Sequence, residues 1–223
     1  GYHTTGRSAA MFAPGYGPKP IRALTRASAS FFQKPPDGFC AAALLSQRDV
    51  AMIARKDQMP SLDNFLSEVS QDSAIEKIDD VRLRKCHPLV RKGYAQAAVL
   101  DTRGSDIDVH GLHHGFLNQF RQRGGRLCTD SEVLDLKRHS RLWKIGTKSG
   151  EFRASVVVNA AGAWADQVGA LGGAETIGLT PKRRTALMID APKNMDVDHF
   201  PLIVDIDEEF YMKPDAGRLL ISP

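Results

Sequence analysis

Hydrophobic and polar positions along the 223-residue chain switch repeatedly between the period of a helix and that of a strand. From 21 to 32, Ile21, Leu24, Ala27 (or Ala29) and Phe31 recur at three- and four-residue spacing, and Pro35-Pro36-Asp37-Gly38 closes that helix. AALL at 42–45 and VAMIA at 50–54 flank Ser46-Gln47-Arg48-Asp49 and predict a hairpin of two half-buried strands. Two helices follow. SLDNFLSEVSQ begins after Pro60 with Ser61 as its N-cap, and DDVRLRKC stops before His87-Pro88, because a residue preceding proline is pushed out of helical conformation. YAQAAVL at 94–100 reads as a strand. Asp108 then opens a helix with Val109, Leu112, Phe116, Leu117 and Phe120 on one face, and Gly124-Gly125 supplies a left-handed C-cap.

RLCT, EVLDLKR and RLWKIGT read as short strands, and Lys148-Ser149-Gly150 turns the chain into EFRASVVVN. The last third, TALMID, PLIVDID, FYMK and RLLIS, is strand-like again, with breaks at Ala191-Pro192-Lys193-Asn194 and Pro214-Asp215-Ala216-Gly217. This order implies an α/β chain, α+β overall, in which two domains are interleaved: 1–38 with 101–178, and 39–100 with 179–223. SVVVN lacks alternation, as a strand buried on both faces does, and the small residues from Asn159 to Ala163 sit at its carboxyl end. That edge of an open α/β sheet is where ligands lie, and residues without bulk there let backbone amides approach a cofactor. The same residues also serve tight strand-to-helix packing, and spacing alone leaves both uses open.

Composition narrows the function classes. The chain is 42% hydrophobic, enough for one large core or two modest ones, and its 30 Lys and Arg against 26 Asp and Glu give a net charge of +4, scattered rather than clustered. Nucleic-acid binding is therefore not expected. No apolar run reaches the roughly 18 residues that span a bilayer, so no membrane association is expected. Cys40, Cys86 and Cys128 are odd in number and far apart, which predicts a reducing compartment, the cytoplasm, and no metal site. His110, His113 and His114 lack the glutamates of a zinc hydrolase motif and read as exposed histidines. The chain begins at Gly1 and ends at Pro223 directly after a strand-like run, and it reads as a piece of a longer protein.

VVVNAAGAWADQVGALGG, 156–173, resembles the strand-to-helix segment of the FAD-dependent oxidoreductases that include D-amino-acid oxidase, glycine oxidase and sarcosine oxidase. Other segments fall in that family's order: HTTGRSAA at 3–10, the helix of DVHGLHHGFLNQFRQRGGRL at 108–127, SEVLDLKR at 131–138, and the strands within 179–189 and 210–223. One part of the family pattern is missing. Such proteins open with a G-x-G-x-x-G turn for the pyrophosphate and a strand bearing an acid for the ribose, whereas the nearest pattern here, Gly15-Tyr16-Gly17-Pro18-Lys19-Pro20, has prolines where a glycine and helix start belong.

The resemblance implies an incomplete Rossmann-like FAD-binding domain interleaved with a mainly antiparallel substrate domain. It assigns Thr5, Gly6, Arg7 and Ser8 to the pyrophosphate and ribityl region, Val133 to the adenine through its main chain, Ala160, Ala161 and Gly162 to the flavin, and Trp164 to packing behind them. It implies hydride transfer from the carbon bearing an amine nitrogen to FAD, with a small amine or amino acid as substrate. Tyr211 is a candidate for contact with a substrate carboxylate or the flavin, or else packs beside Phe210. Arg184, with Arg183, is a candidate for a bidentate carboxylate contact, or else lies on a solvated edge strand. The rival class is a non-catalytic remnant or interaction subunit without flavin, and exposed strand edges predict pairing of two copies.

Overall fold

The computed structural model describes residues 3–70 and 72–223. Two compact units make up the chain, one running through Gln122 and resuming as Arg184–Pro223, the other Arg123–Arg183. The first unit carries five-residue runs whose every side chain is buried, β3 (Val50–Ala54) and β5 (Ala97–Asp101). Apolar residues without alternation suit a strand covered on both faces, and these two pair antiparallel inside a seven-stranded sheet.

The sheet takes the order β10-β13-β12-β11-β3-β5-β4, where β4 is Ile75–Asp79, β10 Leu187–Asp190, β11 Leu202–Asp205, β12 Tyr211–Asp215 and β13 Arg218–Ser222. Only β11 and β3 run parallel; every other neighbouring pair is antiparallel, as expected for 179–223. Alternation splits β3 between two cores. Ala51 and Ile53 join Leu83 of α3 (Asp80–Cys86) on one face, while Val50, Met52 and Ala54 join Leu62 of α2 (Met59–Glu68) on the other. Asp79 caps α3 by accepting the Arg82 amide at 2.8 Å, and the helix ends at Cys86 ahead of His87-Pro88 as expected.

Several expectations are corrected. The stretches 42–45 and 50–54 form no hairpin: β2 (Leu45–Gln47) joins β1 (Met11–Phe12) and β6 (Ser105–Ile107) in a separate three-stranded sheet of order β1-β6-β2. Ser61 is not the N-cap of α2; that position is three residues earlier, at Gln58, with Pro60 in the first turn where a missing N–H is tolerated. In α1 (Lys19–Gln33) Ile21 and Leu24 are exposed, and Arg22 is the side chain turned inward, bonded to the Gly17 carbonyl and Glu68. In α4 (Val109–Gln122) Phe116 and Phe120 are exposed, and the close contact is made by Gly115, where a Cβ would stand 2.4 Å from the Phe39 ring. Asp108 accepts the Gly111 amide at the start of α4, and Gly124 takes φ 83° past its end.

The second unit is a meander of β7 (Val133–His139), β8 (Leu142–Thr147) and β9 (Gly150–Ala154), followed by α5 (Ala165–Leu171). RLCT forms no strand, and neither does 155–159, where Val156 is 70% and Val158 81% exposed. Apolar character expresses a preference for burial, but a strand exists only where a neighbouring ladder takes up its amides and carbonyls, and among the described residues none pairs with 155–159.

Candidate functional site

The residues named from the sequence fall in both units. In the first, HTTGRSAA folds as a 3-10 turn, Thr5–Arg7, with Thr5, Gly6, Arg7 and Ser8 all exposed. The Ser8 hydroxyl donates to the Thr5 carbonyl at 3.4 Å and accepts the Ala10 amide at 3.2 Å, so the turn closes on itself. Ala10 then takes φ 54°, a left-handed conformation that an L side chain resists. Its carbonyl accepts the Ile107 amide at 2.7 Å, which holds that conformation and carries the chain into β1.

Tyr211 and Arg184, far apart in sequence, line one small open hollow of about 20 Å³ together with Tyr16, Val204, Glu208, Phe210 and Ser222. Tyr211 opens β12, half-buried, with Val204 and Ser222 as its neighbours across the ladders. Neither Tyr16 nor Glu208 was singled out by sequence reasoning, because each stands in a turn, where polar residues are ordinary: Tyr16 far from Tyr211 in sequence, Glu208 in the turn that leads into its strand. The Tyr16 hydroxyl is pushed up to about 12 by burial first, then by its hydrogen bond to the Glu208 carboxylate and that group's charge, with Arg184 opposing. Arg184 and Glu208 set opposite charges on the walls of the hollow.

Glu208 occupies a turn position with φ 61°, its amide donating to the Asp205 carbonyl at 2.8 Å. Glycine is the residue such a position favours. Glu208→Gly is therefore expected to raise stability by about 1 kcal/mol in urea denaturation, while lowering the Tyr16 pKa toward the ordinary phenol value in a spectrophotometric titration. An unchanged Tyr16 titration would show that Glu208 does not hold that hydroxyl.

In the second unit Asn159 shapes the NAAGAW turn, its Nδ2 donating to the Ala165 carbonyl at 2.8 Å and its Oδ1 accepting the Ala161 amide at 3.2 Å. Gly162 has φ 57°, with open space where a Cβ would project. Ala160 and Gly162 are exposed, Ala161 is half-buried, and Trp164 is 45% exposed. Val133, at the start of β7, is half-buried. A bare backbone surface at Gly162, and hydroxyls and a guanidinium at 5–8, are donor sets that fit a flat ring system and a phosphate respectively. The three histidines of α4 lie side by side, the rings of His110 and His114 4.2 Å apart.

A family model described as FAD dependent oxidoreductase (DAO) matches residues 1–223. The chain belongs to this family. Its members bind FAD, and the chain's mixed α/β fold is that of solved members. Glycine oxidase from Geobacillus kaustophilus superposes with a TM-score of 0.82 at 19% identity, over 98% of this chain and 60% of that one. L-proline dehydrogenase from P. horikoshii gives 0.78 at 15% identity, over 100% and 60%. L-alpha-glycerophosphate oxidase from Mycoplasma pneumoniae, solved with FAD bound, gives 0.80 at 14% identity, over 99% and 61%. Among curated proteins, the mitochondrial dimethylglycine dehydrogenase of Homo sapiens is 26% identical over 149 residues, 66% of this chain and 17% of that protein. The chain thus spans about three-fifths of the solved relatives and a sixth of the curated one. Among the described residues no helix is long and apolar enough to cross a membrane.

Proposed function

We propose that this chain is part of a flavoenzyme that oxidises the C–N bond of a small amine or amino acid. The observation that carries the reading is the hollow shared by Tyr211, Arg184, Tyr16 and Glu208. In this reading 1–38 and 101–178 serve the cofactor and 39–100 and 179–223 the substrate. Thr5, Gly6, Arg7 and Ser8 hold the pyrophosphate and ribityl region, Arg7 through charge-assisted bonds. Val133 backs the adenine; Ala160, Ala161 and Gly162 line the flavin, with Trp164 behind them. FAD, when bound, supplies the hydride acceptor.

The chain's own residues position rather than transfer. Arg184 orients a substrate carboxylate, which fixes the reacting carbon at one depth in the hollow and contributes through proximity. Tyr211 offers a hydroxyl beside it. Tyr16, held protonated far above neutral pH, remains a donor throughout the working range and keeps the Glu208 carboxylate aimed inward. The three cysteines are free, as a reducing compartment such as the cytoplasm requires.

The test is a visible absorption spectrum of the purified chain with added FAD, followed by anaerobic addition of glycine, sarcosine, dimethylglycine or L-proline. Retained flavin that bleaches with one of them, and bleaches far less in Arg184→Ala, supports the reading. Retained flavin that none of a broad amine panel bleaches removes the substrate assignment. The exposure of Val156 and Val158 favours a second reading, a subunit or remnant without flavin, which predicts no retained flavin even when the chain is expressed within its full reading frame.

A further inference from the structure

The side chain least expected in the large sheet is Lys213. It lies on β12, two residues beyond Tyr211 and on the same face of the strand, and is only 4% exposed. Its ammonium donates to the Ala9 carbonyl at 2.9 Å and to Asp106 Oδ1 at 2.7 Å. Asp106 stands in β6 opposite Met11 of β1, and its other oxygen accepts Arg48 Nε at 2.5 Å. Arg48 in turn donates to the carbonyls of Asp198 and Phe200 at 3.0 and 2.6 Å. Two cations share one carboxylate, and three backbone carbonyls accept from them as well.

An apolar side chain would fill this place on β12 without the desolvation penalty of a buried ammonium. What an apolar residue cannot do is grip a carbonyl. Ala9 immediately precedes Ala10, the left-handed residue that ends HTTGRSAA, so Lys213 holds the kink from the β12 side while the Ile107 amide holds it from β6. Remove the ammonium, and the unfavourable conformation of Ala10 keeps the Ile107 amide and the local bond to Ser8 but loses its tether to β12.

Resting on the reading that residues 5–8 contact FAD, we infer that Lys213 is a positioning residue: it ties the 3–10 loop to the strand that carries Tyr211. Cofactor loop and substrate strand are then held in one register by a single side chain. Lys213 touches neither reacting partner and acts through the backbone it anchors.

Amide hydrogen exchange in the full chain, without flavin, tests the anchor. Lys213→Met is expected to speed exchange at Ala10 and Ile107 by about tenfold or more, with the amides of β11 and β3 unchanged. Lys213→Arg keeps a cation for Asp106 but not the short reach to Ala9, and shows the same loop-confined change in smaller measure; it serves if the Met variant does not fold. Unchanged exchange at both amides, or acceleration spread evenly through the sheet, overturns the inference. FAD titration then judges the cofactor link: a weakened midpoint and shifted flavin spectrum in Lys213→Met support it. A loosened loop with unaltered flavin binding overturns the positioning role together with the assignment of 5–8 to FAD. Wild-type chain that binds no FAD removes only that assignment, since the exchange result stands without flavin.

Discussion

Between pH 6.5 and pH 4 the folded chain is expected to lose about 3 kcal/mol of stability through one residue, His87. His87 is fully buried, follows α3, and sets its ring tilted against Phe200, with the ring centroids 5.0 Å apart. Its backbone is satisfied, the amide donating to the Leu83 carbonyl and the carbonyl accepting the Val90 amide, but neither ring nitrogen has a hydrogen-bond partner among the described residues. Burial lowers its pKa from 6.5 to about 4. Above 6.5 the imidazole is neutral folded and unfolded, and it contributes no pH dependence. Below 6.5 the unfolded chain takes up a proton that the folded chain refuses, so stability falls as pH falls, until below about 4 the full difference is lost. A typical domain has only about 5–15 kcal/mol to lose. Urea denaturation of wild type and His87→Leu across this window isolates the effect, since carboxylates titrate alike in both. The variant's profile should be flatter by about 3 kcal/mol; parallel profiles would show that the buried imidazole finds a partner.

His87 was legible only as the residue before a proline, which ends a helix, and nothing in the local sequence marks it as buried. The contrast between VAMIA and SVVVN explains more of what sequence can and cannot give. VAMIA predicts a half-buried strand of a hairpin and SVVVN a strand covered on both faces; VAMIA is instead buried along its whole length. VAMIA finds β5 and β11 as neighbours and lies inside the sheet, whereas among the described residues none pairs with 155–159, and two valines are left exposed. Periodicity reports what a segment prefers; pairing is decided by residues far away in the chain. The same distinction separated 42–45 from 50–54, neighbours in sequence that enter different sheets.

For the candidate site, FYMK advertised Tyr211 on its strand and KRR advertised Arg184, although Arg184 lies on no edge strand, since β10 begins only at Leu187; chemistry from turns was not legible. Tyr16 sits in a glycine-proline turn and Glu208 in the turn between β11 and β12, where polar residues are ordinary, and only the fold brings them to the same hollow. Lys213 was hidden by base expectation, because lysine is the residue least often buried. Its alternation with Tyr211 was visible; its two acceptors, contributed by Ala9 and by Asp106, were not.

Removing the carboxylate at the centre of that group should have the other large effect. Asp106 is about a quarter exposed and pairs with both Arg48 and the buried Lys213. Asp106→Asn leaves two cations facing an amide, one of them with almost no access to water, and is expected to destabilise by about 3 kcal/mol, the low end for breaking a buried ion pair. Lys213→Met alone removes the charge with the greatest desolvation penalty and should cost far less. The decisive variant combines them. In Asp106→Asn with Lys213→Met, Arg48 keeps its two carbonyl acceptors and partial access to solvent, so most of the penalty disappears and the double variant should be more stable than Asp106→Asn by about 2 kcal/mol. Equilibrium urea denaturation of the four chains gives the coupling directly. Strictly additive losses would mean that the Lys213 ammonium does not depend on this carboxylate and that its bond to the Ala9 carbonyl is sufficient to keep it buried.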